Sequence, residues 1–173
     1  MKLLSPIEEI GRDSLAVRVR LLSRSVSAIF DQALSIYGVT IAQVNLLTAL
    51  GQVGPCAPRK LGEVLQLERS TLSRNLELLI AKGLVVAIFS DLKGIREVAV
   101  TNTGHQKIDA LLPDWRAAQK KAHQLLGRAG VRAVYDATAS IWTAPLDSSE
   151  HNELSSETSP FFLNALLYMH RRR

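Results

Sequence analysis

Leu61-Gly62-Glu63-Val64-Leu65-Gln66-Leu67-Glu68-Arg69-Ser70-Thr71-Leu72-Ser73-Arg74 is the stretch that decides the fold of this chain. Pro58, just before it, opens a short helix without penalty, because the N–H it lacks is one that a first turn does not use. Leu61, Val64 and Leu65 then fall on one side of that helix. Gln66 to Glu68 are all that remains before a second periodic run, Leu72, Leu76, Leu79 and Ile80, which predicts a helix over about 69–82 that stops at Gly83. Two helices joined by so short a turn make a helix-turn-helix. The second of them begins with Arg69, Ser70, Thr71, Ser73, Arg74 and Asn75, the small polar and basic side chains that a DNA major groove accepts. Arg74 is placed to reach guanine O6 and N7, Ser70 and Thr71 to reach phosphate or base edges, and Asn75, one turn beyond Thr71, to read adenine. The competing reading is a solvated helix face.

Downstream, Val85 to Phe89 and Arg96 to Val100 read as two strands joined across the turn-rich Asp91 to Gly94, a hairpin directly after the helix pair. Asp91, Lys93 and Arg96 surround its tip. A guanidinium there suits a narrow minor groove, where negative potential is enhanced, and Asp91 is placed to hold it; an exposed ion pair of small value is the alternative.

Upstream, Ser5-Pro6-Ile7-Glu8 is a helix start, and apolar residues from Ile10 through Leu22, Phe30 and Tyr37 predict one helix of about eight turns ending at Gly38. So long a helix exceeds what a small domain can cover, which directs its apolar stripe toward a partner chain. Thr40 to Gln43 is a second capping box, opening a helix that stops near Gly51 and Gly54. Thr103 to Gln106 is read as the start of a fifth helix, with Pro113 kinking it. Gly127 and Gly130 then break the chain before a sixth helix over about 131–142. Ala144 to Ser159 is a Ser- and acid-rich linker, and 161–170 can form a short amphipathic helix.

Composition bounds the rest. With 173 residues, 47% hydrophobic, the chain can bury one core, and one domain overall is expected. Apolar runs such as Leu84 to Phe89 fall far short of the ~18 residues a membrane helix needs, and Glu8 and Glu9 follow Lys2 where a secretory signal would be apolar. A cytoplasmic protein with no membrane partner is the expectation. The net charge of +5 favours a polyanionic partner, although Arg171, Arg172 and Arg173 supply part of it from what reads as a frayed end.

From about Thr40 to Leu126 the chain resembles the MarR family of bacterial winged-helix regulators. The likeness is carried by Leu61 to Leu65, by Arg69 to Arg74, by Lys82-Gly83-Leu84-Val85 and by the wing from Asp91 to Arg96. Val100 to Gly104 and Leu112 to Gln119 add to it. The resemblance implies a mainly α fold with a small β-hairpin wing, a winged helix-turn-helix in an intertwined homodimer. Residues 1–38 and 103–143 would supply dimerisation helices, 39–102 the DNA-binding lobe, and 144–173 a polar linker and tail. It further implies binding to double-stranded DNA at a pseudo-palindromic operator with half-sites ~10 bp apart. Repression would be relieved by a small, often aromatic effector. Phe30, Tyr37 and Trp115 lie on the helices that border the effector site in this family, and core or dimer packing explains them equally well. Two departures stand out: Ile95 and Leu78 occupy positions where the family usually carries charge, and each loses a phosphate contact. They motivate an alternative in which a winged-helix dimer holds protein partners without specific DNA binding.

Cys56, the single cysteine, excludes an intrachain disulfide. It is either an oxidant sensor, with Arg59 and Lys60 nearby, or an inert small residue. His105, His123, His151 and His170 lack metal-ligand spacing, so no metal and no cofactor is expected. Neither a nucleophile beside a base nor a phosphate-binding glycine loop is present, which directs the reading away from an enzyme.

Overall fold

The computed structural model describes residues 5–90 and 94–143. Its first element follows from a local exchange: the Ser5 N–H donates to Glu8 Oε2 at 2.8 Å and the Glu8 N–H to Ser5 Oγ at 3.3 Å, the reciprocal capping box that starts α1, Pro6–Asp13. The single helix predicted over about 6–37 is then corrected. Ser14 leaves the helix at φ −65° and ψ 109°, and its hydroxyl accepts the Val17 N–H to start α2, Leu15–Leu34. A 3₁₀ turn, Ser35–Tyr37, closes this segment and Gly38 ends it in the left-handed conformation.

The Thr40 and Gln43 capping box opens α3, Ile41–Val53. Asp31 of α2 also accepts the Ile41 N–H at 2.6 Å, so the corner between the two helices is pinned by a side chain as well as by packing. Val44, Leu46, Leu47, Ala49 and Leu50 of α3 are all buried, and α4 (Pro58–Leu65), α5 (Arg69–Ala81) and the wing close around them. The wing is β1, Val85–Ser90, antiparallel to β2, Gly94–Val100. Its register runs from Val85 opposite Val100 to Ile88 opposite Glu97, then skips to Phe89 opposite Ile95, which leaves Arg96 as the extra residue of a β-bulge. The sequence hid one further pairing: the loop before α4 bridges to β2, with the Val98 N–H donating to Cys56 O at 2.9 Å and the Cys56 N–H to Val98 O at 3.2 Å.

The last described element, α6 (Asn102–Thr143), starts two residues earlier than the Thr103 cap predicts. Thr101 is the capping residue: its hydroxyl accepts the Gly104 N–H at 3.0 Å and donates to Gly83 O at 2.7 Å, while its own N–H donates to Leu84 O at 3.1 Å. Thr103 has no such tertiary partners to hold it. Within α6 the backbone stays helical through Pro113 and departs at Gly127 (φ 65°, ψ 169°), a kink that divides the segment into two helices as the sequence predicts, with Gly130 already inside the second. The linker and tail helix predicted over 144–173 lie outside the described residues. No single helix among the described residues is long and apolar enough to cross a membrane.

The junction of α6 with β1 is tight enough to exclude a side chain. A Cβ on Gly104 would lie 2.3 Å from Leu84 O and 2.7 Å from Val100 Cγ1, and the nearer of these is backbone that cannot rotate away. Gly104→Ala is therefore expected to destabilise the fold by about 1–3 kcal/mol through forced backbone displacement. Urea unfolding checks this; a midpoint equal to that of the parent protein would refute the close approach.

Candidate nucleic-acid interface

The helix pair α4 and α5 is built as the sequence predicts, and its turn shows why it is so short. Gln66 adopts the left-handed conformation (φ 50°, ψ 43°), its N–H returns to Glu63 O, and the Leu67 N–H donates to Gly62 O at 2.9 Å. These bonds close the end of α4 and turn the chain at once into α5. Gly62 is buried, and a Cβ there would come within 3.1 Å of Leu72 Cδ2, so the missing side chain lets the two helices meet.

Leu72, Leu76 and Leu79 bury one face of α5. At 100° per residue that places Ser70, Arg74, Glu77 and Leu78 on the opposite side, with Thr71 and Ser73 at its edges, while Arg69, the first residue of α5, lies nearer the leucine side; all seven are exposed. The helix start has no side-chain cap: Glu68 precedes α5 without such a hydrogen bond. Two of the predicted readers are engaged locally. Ser73 Oγ donates to Glu77 Oε1 at 3.0 Å, and the Asn75 amide, half-buried, donates to Thr71 O at 2.9 Å. Glu77 was not singled out by the sequence, yet the helical spacing from Ser73 to Glu77 was there to be seen. In the wing, Asp91 and Lys93, and with them the pairing of Asp91 with Arg96, lie outside the described residues; Arg96 is located by its bulge position in β2.

Phe30, Tyr37 and Trp115 come together where α2 and the 3₁₀ turn meet α6. The rings of Phe30 and Trp115 are tilted at 42° with centroids 6.1 Å apart, the oblique geometry that aromatic pairs favour. Tyr37 donates its hydroxyl to Asp114 Oδ2 at 2.6 Å, and that bond to a carboxylate raises the phenol above its ordinary pKa. Each of the three thus has a packing or hydrogen-bonding partner inside the chain.

Among the described residues no group of three or more His, Cys, Asp and Glu side chains is arranged to hold a metal ion. Cys56 is free and buried against β2. Burial pushes its thiol above the ordinary range, Lys60 partly opposes this, and Glu97 adds to it.

The fold so assembled is a winged helix, and the comparisons place it. Residues 37–94 match the MarR family. In structure the chain is similar to a probable transcriptional regulator from Pseudomonas aeruginosa (TM-score 0.64, 22% identity, 75% of this chain and 97% of that one). It is also similar to a mutant MarR from E. coli complexed with operator DNA (TM-score 0.66, 17% identity, 77% and 96%). A third likeness is to Bordetella bronchiseptica BpsR, whose DNA binding is regulated by 6-hydroxynicotinic acid (TM-score 0.67, 20% identity, 76% and 96%). At these identities the likeness is one of fold, and that fold is the MarR-type winged helix the recognition segment suggested. No curated protein matches the chain in sequence.

A raised thiol pKa has a direct consequence for Cys56. Folding favours its protonated form, so this contribution to stability is present below the unfolded pKa and fades as pH rises through the folded one. Alkylation by iodoacetamide at pH 8 is expected to be slower in the native protein than in urea, where the ordinary thiol pKa returns. Equal rates in the two states would show the thiol to be accessible and unperturbed.

Proposed function

We propose that this chain is a dimeric, sequence-specific DNA-binding transcription regulator, with α5 in the major groove and the wing in the adjacent minor groove. The observation that carries the reading is the division of α5 into a face buried through Leu72, Leu76 and Leu79 and an exposed face bearing Ser70, Thr71 and Arg74. It lies inside the segment that matches the MarR family. The absence of a side-chain cap at Glu68 leaves the positive end of the α5 dipole open to a phosphate. Ser73 and Asn75 flank this face, Arg69 begins the helix, and Asp91, Lys93 and Arg96 belong to the wing contact. Arg96 is the extra residue of the bulge in β2, and strand bulges are common beside functional sites.

Dimerisation is supported by what one chain leaves uncovered. Phe30 and Leu34 are the buried residues of α2, yet the same stripe continues toward its N-terminus through Leu15 and Val19, which are 72% and 54% exposed. Ile7 and Ile10 of α1 and Leu125 of α6 are exposed as well. In this proposal 1–38 and 103–143 join two chains, 39–102 reads DNA, and 144–173 is an appended tail. The finer reading is a repressor released by a small aromatic effector at the α2–α6 junction near Phe30, Tyr37 and Trp115. The regulation of BpsR by an aromatic acid supports it by analogy of fold. Effector release would follow from a preference for a lobe spacing that does not fit DNA, a tenfold weakening needing ~1.4 kcal/mol of differential binding.

Leu78, 45% exposed on the α5 face, favours a second reading in which that surface holds a protein partner. Salt separates the two, since neutralising phosphates makes DNA affinity fall steeply with ionic strength. A duplex recovered by the protein from a random pool provides the probe. Arg74→Ala is expected to weaken binding to it by about 1–3 kcal/mol and to relax its sequence preference, measured by gel shift at fixed salt. Unchanged affinity would remove Arg74 from the readout. Leu15→Glu combined with Val19→Glu is expected to convert a dimer to monomer in analytical ultracentrifugation, because burying two carboxylates in that stripe is strongly unfavourable; a dimer that persists would place the interface elsewhere.

A further inference from the structure

The apolar face of α5 fixes how deeply the helix sits but is a weak constraint on its direction, since hydrophobic contact is not directional. The Gln66 turn holds its N-terminal end to α4 alone; its angle to the α2–α3 corner is set at its C-terminal end. Lys82, the residue that caps α5, donates through Nζ to Gly38 O and, at 3.2 Å, to Gln43 Oε1. Gln43 is 4% exposed, and its Oε1 also accepts the Thr40 N–H that starts α3. One ammonium therefore joins the end of the α2 segment, the first turn of α3 and the end of α5. The side-chain hydrogen bonds of Ser73 and Asn75, by contrast, stay within α5.

We infer that Lys82 is a positioning residue for DNA recognition: its tie to Gly38 and Gln43 sets the angle of α5 against the α2–α3 corner, and so the place of Ser70 and Arg74 in the groove. The lever is long. Twelve residues separate Ser70 from Lys82, about 18 Å along the helix, so a tilt of about 5° at the tied end moves the reading end by about 1.5 Å. That is enough to break the hydrogen bonds of a bidentate base contact. Phosphates see less of such a tilt, because charge attraction tolerates it. The inference rests on the DNA-binding reading above. It assigns this exposed lysine to geometry, in place of the phosphate contact that its charge would otherwise suggest.

The test uses Lys82→Met, Gln43→Met and the double variant, each on the selected duplex and on a scrambled duplex of equal length across a salt series. Gln43 is buried and its substitution removes no charge; Gln43→Met releases the Lys82 bond together with the Thr40 cap and leaves the bond to Gly38 in place, whereas Gln43→Glu keeps both acceptor roles. The expected result is that each single variant binds the selected duplex about tenfold more weakly, the loss of a hydrogen bond to a charged group. The double variant is expected to be no weaker on the selected duplex than Lys82→Met alone, with scrambled-duplex affinity and salt slope as in the parent. Gln43→Glu keeps the acceptor and is expected to retain parental affinity. If Lys82→Met lowers the salt slope by about one unit while Gln43→Met binds like the parent, Lys82 is a phosphate contact and the inference is overturned. It is overturned equally if neither variant changes the preference for the selected duplex. Lys82 is exposed, so its variant decides between tie and phosphate by salt slope even should Gln43→Met fail to fold. A parent protein with no preference between the duplexes would bring down the DNA-binding reading itself, and this inference with it.

Discussion

The structure is organised by one helix that has almost no polar face to offer water. In α3, Val44, Leu46, Leu47, Ala49 and Leu50 are all buried, which spreads apolar surface around most of the helix circumference. Such a helix is stable only when enclosed. α2, α4, α5, β2 and α6 all pack against it, and the exposed strip through Ala42, Asn45, Thr48 and Gln52 is narrow. Enclosure also turns the amphipathic helices outward in the same sense. Each gives its apolar side to α3, so the polar side of α5 faces water because its leucines cannot.

The caps that begin and end these helices were readable because they depend on neighbours three or four residues away. Ser5 with Glu8 and Thr40 with Gln43 form the reciprocal bonds their spacing requires, and Pro58 begins α4. The failures have two causes, partners distant in sequence and signals overridden by periodicity. Ser14 is a capping residue in plain view, but apolar residues continue at helical spacing on both sides of it, and periodicity alone does not register a break. Thr101 and Thr103 look equivalent until Gly83 and Leu84 select the first. The Cys56 and Val98 pairing joins residues 42 apart and has no local signature.

For the candidate interface, residue types and spacing located the exposed face of α5, whereas the state of individual side chains was not legible. Asn75 fits a base-reading role by type, yet in the folded chain its amide is spent on the Thr71 carbonyl. Glu77 places a carboxylate beside Arg74 on the face toward solvent, so the surface is less uniformly basic than the run from Arg69 to Arg74 suggests. Phe30 and Trp115 were picked out separately and prove to be in ring contact, with Tyr37 bonded to the adjacent Asp114, because the packing of α2 and the 3₁₀ turn on α6 aligns positions that are 77 or more residues apart.

A single residue, Thr101, stands between the last strand of the wing and the first helix of α6, and both its backbone N–H and its hydroxyl are already committed to the chain at Gly83 and Leu84. There is no spare length at this joint to absorb play. The hairpin and the base of α6 must travel as one piece, as a handle travels with its blade. A joint this short ties the orientation of the hairpin to that of the helix base.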